Sequence, residues 1–410
     1  MNKEKLLGFF GLFLLITPFT FIIIEYWNIS SLNSWGASEW LISYSGGFVR
    51  RGLGGELIYN ISSYFLISPS KIVVLFSFLS YLLLSAILIK VSKNIIPIYI
   101  LFSPLILGMP IYSNFLIRKD VFGVLCLLLT LLLIKEKLNI KTIFLTNFLC
   151  IIAILNHEAF IFFGLPIIIL TLNLLNKNKI LSIIGLIKIF PSLVISIFVV
   201  FFHGTPEISK NILASWNVFI SNNFIECCYL KKDFAIDSIG HGIEGPMGLA
   251  KTVLGHWSVG ILYVPLMWLL TWFVSMIAIG QVGIHNTSIR KNFYLVAIAQ
   301  TIFIFPLFLL GWDFGRWLFY IFVSSVSWVL VFQDKFFKIP LKKFNTVKEN
   351  NIIVIIFLLF FSVPSCCWTL QKYFKNTAFF SNYGKISYII TGYNLKTQYQ
   401  FIKNKFIIMK

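Results

Sequence analysis

The chain has 410 residues, of which 58% are hydrophobic and only 12% are charged. This composition, which includes 44 phenylalanines, excludes an ordinary soluble domain, in which about a quarter of the residues are charged. The formal net charge is +19, but the basic residues are dispersed between apolar runs, so nucleic acid is a poor candidate as a partner.

Eleven apolar runs are predicted to cross the membrane as helices, because a bilayer core about 30 Å thick needs roughly 20 apolar residues and these runs do not alternate as barrel strands would. In chain order they are residues 6–24, 72–89, 95–112, 121–134, 142–155, 159–175, 180–202, 258–282, 293–310, 317–332 and 352–370. The fourth and fifth are short for a span. The predicted fold is an all-α polytopic integral membrane protein, with residues 1–410 in a single membrane domain.

The orientation follows from the lysines and arginines, which are enriched in short cytoplasmic loops. When the N-terminus is placed inside, every predicted internal segment is basic and most acidic residues fall outside. Two external loops are then long enough to do more than connect helices, residues 28–70 and 203–257. The lipid bilayer is one expected partner of the chain. Any substrate is expected to bind on the external face.

Four short motifs combine arginine or histidine with an acid at the ends of predicted spans. They are GGFVRRGLGGE from Gly46, IRKD from Ile117, NHE from Asn156 and GWDFGR from Gly311. Charge at the edge of the hydrocarbon is costly and usually functional. Because the predicted threading puts all four motifs on the same face, they indicate one site for an anionic substrate. The chain has no GxxxxGK[ST] phosphate loop, which argues against ATP-driven transport.

The basic members of these motifs are candidate ligands for phosphate. Arg50 and Arg51 offer two adjacent planar guanidinium groups, although they could instead extend to lipid headgroups. Arg118 offers a third such group, and Lys119 follows it. The neighbouring Asp120 has a simpler interpretation, since an acid at a helix N-terminus is favoured by the helix dipole.

The acids are candidates for proton transfer. His157 and Glu158 lie between two apolar runs with no other charge nearby, where an unpaired acid would be costly, so a functional role is favoured. Asp313 and Arg316 are three residues apart and could form an ion pair on one helical turn, either as part of the site or only to stabilise the helix end. The chain has no CxxC or HExxH pattern, and neither a metal nor a cofactor is expected.

The four motifs, in this order across a multi-span chain, resemble bacterial O-antigen repeat-unit polymerases of the Wzy class, and the resemblance covers residues 46–317. It implies a membrane glycosyltransferase with a GT-C-like architecture in the bacterial inner membrane and a site on the periplasmic face. Its substrate would be an oligosaccharide carried on undecaprenyl pyrophosphate, which it would transfer to the sugar end of another lipid-linked repeat unit. A chain-length regulator would be a further partner.

The resemblance also suggests roles for the candidate residues. Glu158, with His157 beside it, would deprotonate the acceptor hydroxyl, and Glu56 and Asp313 are the reserve candidates. The basic side chains would contact the pyrophosphate or the glycan: Arg50, Arg51, Arg118, Lys119 and Arg316.

Two other functions remain open. A GT-C transferase that adds one sugar from a polyprenyl monophosphate would share this topology and often uses an acid of the first external loop, here Glu25, Glu39 or Glu56. A polysaccharide transporter or flippase would be expected to bury charge in the middle of a span or to contain an internal repeat. Only Lys188 lies within a predicted span, and no convincing repeat is present, so transport is the weaker hypothesis.

Overall fold

A computed structural model describes most of the chain, and every regular element in the described residues is a helix. The described ranges are 3–28, 35–92, 95–175, 183–221, 235–241, 247–248, 250–251, 263–284, 286–311, 313–337, 351–364 and 370–391. Parts of both predicted external loops, and Trp312 of the fourth motif, lie outside the described residues.

The first ten helices cover the chain from the N-terminus to Leu175. They are α1 (Lys3–Asn28), α2 (Trp35–Glu39), α3 (Gly52–Phe65), α4 (Pro69–Ser92), α5 (Ile98–Leu101), α6 (Gly108–Tyr112), α7 (Asp120–Glu136), α8 (Ile140–Asn156), α9 (Phe160–Phe163) and α10 (Leu165–Leu175).

The remaining described helices include a π-helical turn, Ala278–Gly283, that continues α16. They are α11 (Ile184–Lys188), α12 (Phe190–Phe201), α13 (Pro206–Ser215), α14 (Asn217–Ser221), α15 (Ala235–Ile239), α16 (Tyr263–Ile277), α17 (Thr287–Leu310), α18 (Phe314–Phe337), α19 (Asn351–Phe360), α20 (Leu370–Lys375) and α21 (Ala378–Thr391).

Five described helices are long and apolar enough to cross a membrane, and a bent helix pair raises the number to six. The five spans are Lys3–Trp27, Pro69–Ser92, Leu266–Gly283, Thr287–Leu310 and Phe314–Lys335. The bent pair, Phe190–Phe201 with Pro206–Phe219, turns by 99° at its break. The all-helical architecture with several apolar spans is therefore that of a multi-pass membrane protein, while the described helices do not give the predicted count of eleven.

The differences from the predicted spans are local. Residues 95–112, predicted as one span, form two short helices, α5 and α6, with turns between them, so that prediction was wrong. The short fourth and fifth runs are α7 and α8, each 17 residues and therefore about 25 Å long. One of the four charged motifs lies at the start of α7, and another lies at the end of α8.

Helix α18 lies at the centre of the bundle. Its apolar window is completely buried within the protein, whereas the other four candidate spans are only 39–44% buried. It contacts α4, α7, α16 and α17, and three small polar residues, Ser324, Ser325 and Ser327, are buried along it. Close helix contacts in membranes favour such small side chains. The central position places Arg316 and Tyr320, near the start of α18, inside the protein.

Two glycines let α3 lie close to the segment that precedes it and to the end of α8. A Cβ on Gly55 would lie 1.9 Å from the Ile42 carbonyl oxygen, and one on Gly54 would lie 2.4 Å from Asn156 Oδ1. Neither position can therefore hold a larger residue without movement of the backbone or of Asn156. This close packing brings Arg51, immediately before α3, towards the end of α8.

The described parts of the second external segment pack on the first. After α12 the chain turns at Gly204, whose φ is +107°, and α13 follows. The Trp216 indole donates a hydrogen bond to the Leu41 carbonyl oxygen at 2.9 Å, and the Ala235 amide donates to Ser38 Oγ at 3.2 Å. Residues 206–221 and 235–241 thus lie against residues 36–49.

Candidate functional site

The four sequence motifs meet in one cluster of ion pairs. Each motif lies at an end of a different helix. Arg51 precedes α3, the IRKD motif leads into α7, His157 and Glu158 follow α8, and Asp313 precedes α18. The structure brings together all of the predicted site residues except Glu56.

Glu158 is held by two arginines. Arg51 Nε donates to Glu158 Oε2 at 2.7 Å, and Arg51 Nη2 donates to Oε1. Arg50 Nη1 lies 3.4 Å from the same Oε1. Burial opposes ionisation of this carboxyl, but Arg51 and Arg50 outweigh burial and hold the pKa of Glu158 well below its usual range. The carboxylate is therefore ionised and occupied by its partners in this state.

Glu39 is a further carboxylate of the cluster, and only one of its oxygens is satisfied. Its Oε1 accepts from the Trp35 indole at 3.0 Å and lies 3.5 Å from Arg51 Nη1. Its Oε2 is buried without a hydrogen-bond partner among the described residues, and the side chain is only 1% exposed. Burial opposes ionisation here too, but Arg118 and Arg51 lower the pKa of Glu39. Sequence reasoning named Glu39 only as one of three acids of the first external loop, for the alternative GT-C transferase, and did not place it in this cluster. Its signal was an acid that lies in the sequence between Trp35 and Trp40.

The second half of the cluster is centred on Asp313. Its Oδ2 accepts from Arg118 Nη1 at 3.0 Å and from Arg316 Nη1 at 2.5 Å, so the predicted pairing of Asp313 with Arg316 is confirmed. Burial raises the pKa of Asp313, although Arg118 opposes the shift. Arg316 also donates to both oxygens of Asp120, at 2.8–3.0 Å, and the Tyr320 hydroxyl donates to Asp120 Oδ1. Asp120, the acid of the IRKD motif, therefore binds an arginine. Its role is not limited to a favourable interaction with the dipole of α7.

His157 lies between the two halves. Its Nδ1 is 3.6 Å from Glu158 Oε2, and its Nε2 is 3.3 Å from Arg316 Nη2. Burial, and then Arg51, lower the pKa of His157 to about 4, so the ring is neutral near pH 7. The Ala159 amide also lies 3.2 Å from Nδ1. A neutral imidazole accepts a hydrogen bond at only one of its nitrogens, so the ring accepts either from the Ala159 amide at Nδ1 or from Arg316 at Nε2.

With this geometry established, comparison with known proteins identifies a family. The model of a family described as "Uncharacterised membrane protein Rv1490" matches residues 9–224, more than half of the chain. The chain belongs to the Rv1490 family. No curated protein and no solved structure matches it. The matched region includes three of the four motifs, whereas GWDFGR lies beyond it.

The cluster of this Rv1490-family protein has two layers. The side chains of the outer layer are 15–27% exposed: Arg50, Arg51, Arg118, Glu158 and Asp313. The inner layer lies behind them and is at most 7% exposed: Glu39, Asp120, His157, Arg316 and Lys119. An anion that enters from outside would reach the outer arginines first, whereas Lys119 and Arg316, both predicted to contact substrate, already have partners within the protein.

Glu56 lies apart from the cluster in this Rv1490-family protein. Its Oε2 accepts from the Tyr44 amide at 3.0 Å and its Oε1 from Asn60 at 3.3 Å, and no arginine pairs with it among the described residues. The carboxylate thus fixes the turn before α3. In the described part of the chain, no group of three or more His, Cys, Asp or Glu side chains is arranged to hold a metal ion.

Proposed function

We propose that this protein is a membrane glycosyltransferase that acts on phosphate-linked, lipid-anchored glycans, and specifically that it is an O-antigen polymerase. It would transfer an oligosaccharide from undecaprenyl pyrophosphate to the sugar end of a second lipid-linked repeat unit. The observation that carries the proposal is the gathering of three partly exposed arginines, Arg50, Arg51 and Arg118, over an inner layer of acids. The resemblance of the four motifs to Wzy-class polymerases adds to it.

The outer arginines suit the leaving group. Guanidinium groups bind phosphate oxygens through paired hydrogen bonds, and they stabilise the negative charge that grows on a departing pyrophosphate. Arg50 Nε is buried without a partner among the described residues, so a phosphate that displaced its neighbours would find this donor unpaired. A phosphate would compete with Glu158 and Asp313 for the remaining donors.

Glu39 is the candidate base that we prefer to Glu158 in this state. Arginines lower the pKa of both acids, but both oxygens of Glu158 accept from Arg51, whereas Glu39 Oε2 has no donor to displace. The acceptor hydroxyl oxygen would form a bond to the anomeric carbon, and the bond from that carbon to the pyrophosphate would break. The hydroxyl proton would pass to Glu39, and the electron pair would leave with the lipid pyrophosphate.

The depth of the cluster supports a lipid-linked substrate. Lys71 Nζ lies 5.7 Å from the Trp27 ring centroid, and such basic and aromatic residues typically mark a membrane boundary. Ser77 Oγ, six residues further along α4 and therefore about 9 Å deeper, donates to the carbonyl oxygen of Ile117 at 3.4 Å. With the membrane boundary at Lys71, the IRKD motif would lie below the headgroup level, where the phosphate of a membrane-anchored carrier could reach it.

The proposal includes the number of membrane segments and the orientation of the protein in its membrane. The chain would have about eleven membrane segments in a GT-C-like arrangement in the bacterial inner membrane. The cluster would face the periplasm, and a chain-length regulator would act with the protein. The short helices α7 and α8 would then be two of the membrane segments that end at the site.

The test is the surface-polysaccharide ladder of cells that lack the gene and are complemented with variants. Wild type is expected to restore the ladder, and Arg51→Ala to leave only core plus one repeat unit. Arg290→Ala is the matched control, because Arg290 is bonded to Gln281 at the other end of α17 from the cluster. A deleted strain with an unchanged ladder would remove the protein from this pathway, and loss of even the single repeat would indicate an earlier transferase or a flippase.

A second candidate is a GT-C transferase that takes one sugar from a polyprenyl monophosphate. The buried, half-satisfied Glu39 favours it, because this acid lies in the predicted first external loop. Purified protein in nanodiscs would be supplied with either a polyprenyl-phosphate sugar or a pyrophosphate-linked repeat unit. Turnover of the first alone would establish the second candidate and reject the polymerase.

A further inference from the structure

Lys119 is the buried cation of the cluster that lacks a carboxylate partner. Its side chain is completely buried, and no Asp or Glu oxygen of the described residues lies within 4.0 Å of its Nζ. The ammonium instead donates to the Arg51 carbonyl oxygen at 2.8 Å and lies 5.4 Å from the centroid of the Trp40 ring. Burial lowers the pKa of Lys119 to about 7, because an ammonium kept away from both water and a counter-ion is costly, so the position of this side chain requires an explanation.

The backbone that Lys119 contacts has an unusual conformation. Arg51 has φ +65° and ψ +6°, in the left-handed region that residues other than glycine rarely adopt. Such a residue costs on the order of 1–3 kcal/mol and persists where the surrounding structure fixes it, often at functional sites. A glycine would relieve the strain, but it would remove the guanidinium that binds Glu158.

We propose that Lys119 is a positioning residue for Arg51. Its hydrogen bond fixes the Arg51 carbonyl, which stabilises the left-handed turn and directs the guanidinium towards Glu158 and Glu39. The Trp40 ring lies close enough to stabilise the charged form of the amine, and the Trp40 indole is itself fixed by donation to the Ile117 carbonyl oxygen at 2.6 Å. Lys119 therefore acts through Arg51 and does not contact the substrate.

The neighbouring contacts agree with this role. The backbone on either side of Arg51 is also tied down, because the Arg50 amide donates to the Phe202 carbonyl oxygen at 3.0 Å and the Gly52 amide to that of Val49 at 3.3 Å. Lys119 supplies the remaining constraint from a distant part of the chain, 68 residues away. Catalytic geometry depends on such supporting contacts, since a displacement of about 1 Å can cost roughly 100-fold in rate.

The placement of Arg51 can be measured without any substrate. The chain contains five arginines, so the Nε–H signals of protein labelled with ¹⁵N-arginine in nanodiscs form a small set that Arg→Lys variants can assign. Lys119→Met removes the donor at similar length and is expected to abolish or shift the Arg51 signal. The Arg290 signal, from a side chain remote from the cluster, should not change and serves as the control for folding.

Lys119→Gln provides the second variant, because it removes the charge but keeps a donor for the Arg51 carbonyl. It is expected to retain the Arg51 signal, and its result decides the question if the methionine variant does not fold. An unchanged Arg51 signal in Lys119→Met, or its loss in Lys119→Gln while the Arg290 signal persists, would overturn the proposal.

The effect of the Lys119 variants on ligand binding rests on the proposed function, and it is measured in a separate experiment. Binding of undecaprenyl pyrophosphate should weaken roughly tenfold in Lys119→Met and much less in Lys119→Gln. If wild type does not bind this lipid at all, the proposed function fails, while the signals of Arg51 still decide the role of Lys119.

Discussion

Arg51 binds Glu158 through two guanidinium nitrogens, although the two residues are 107 positions apart in the chain. This pair joins the turn before α3 to the end of α8, two elements that belong to different predicted spans and loops. It therefore fixes how the first external segment sits on the helical bundle, and it does so with groups that are only 17% and 18% exposed.

This pair should show strong energetic coupling. Removing one partner of a largely buried ion pair leaves an uncompensated charge and typically costs about 3–5 kcal/mol, whereas removing both costs less than the sum. We expect Arg51→Ala and Glu158→Ala each to lower the unfolding temperature clearly in nanodiscs, and the double variant to lower it by less than the two together. Lys135→Ala, which breaks an exposed pair with Asp334, is the control and should have little effect. Additive effects of the two substitutions would show that the pair is not formed.

Glu39 and Glu56 give a matched comparison for the base. Glu39→Gln should abolish polymerisation while the protein remains in the membrane, because the amide is nearly isosteric but cannot accept the hydroxyl proton. Glu56→Gln should retain the ladder, since the contacts of Glu56 within the described part of the chain are to the turn before α3 and to Asn60. The ladder of each variant, with protein amount measured by immunoblot, checks this. A normal ladder from Glu39→Gln would return the role of base to Glu158 or Asp313.

His157 should make the folded protein less stable as the pH falls. The unfolded chain binds a proton with a pKa near 6.5, whereas burial and Arg51 lower the pKa of folded His157 to about 4. The unfolded state therefore holds more protons between these values, and folding stability is lost as the pH falls from 6.5 to 4, by roughly 3 kcal/mol for this group. Denaturation at pH 6.5, 5 and 4 should show a smaller loss in His157→Gln than in wild type. His241→Gln, at an exposed position, should behave as wild type does.

The convergence of the four motifs can be tested by topology. Single cysteines at Ser45, Asn114, Asn156 and Gly311, in a background without native cysteines, should all react from the same side of the membrane. An impermeant thiol reagent, added to permeabilised cells or to inverted vesicles, would distinguish the two sides. Asn156 is buried, so its labelling should be slowest. Reaction of any one position only from the opposite side would contradict a single site.

Much of the cluster could be predicted from the sequence, because charge in so apolar a chain must be paired or exposed. This reasoning selected Arg51, Glu158, Asp313 and Arg316, and the structure pairs Arg51 with Glu158 and Asp313 with Arg316. His157 lies between the two pairs. The same reasoning could not rank Glu39, because the unpaired oxygen results from packing between distant segments. Nor could it show that Lys119 turns towards a carbonyl oxygen, since the sequence places it between two charged neighbours.

The fold was predicted at the level of class, but one error had a visible signal. Within residues 95–112, Pro104, Gly108 and Pro110 interrupt the apolar run, and the chain forms two short helices there. Hydropathy alone counted this run as a span, because the residues are as apolar as those of a continuous helix. The bend between α12 and α13 is similar, since Gly204 and Pro206 mark it.

The lengths of α7 and α8 have a consequence for the lipid around the protein. Two helices of about 25 Å that end at charged side chains cannot match a hydrocarbon layer about 30 Å thick. If α7 and α8 cross the membrane as proposed, the bilayer beside them would have to thin, or water would have to descend to the level of Asp120 and Asn156. The leaflet on the side of the cluster would then be locally thinner, and the thickness of the host membrane would set how far the proposed carrier phosphate travels to reach the site.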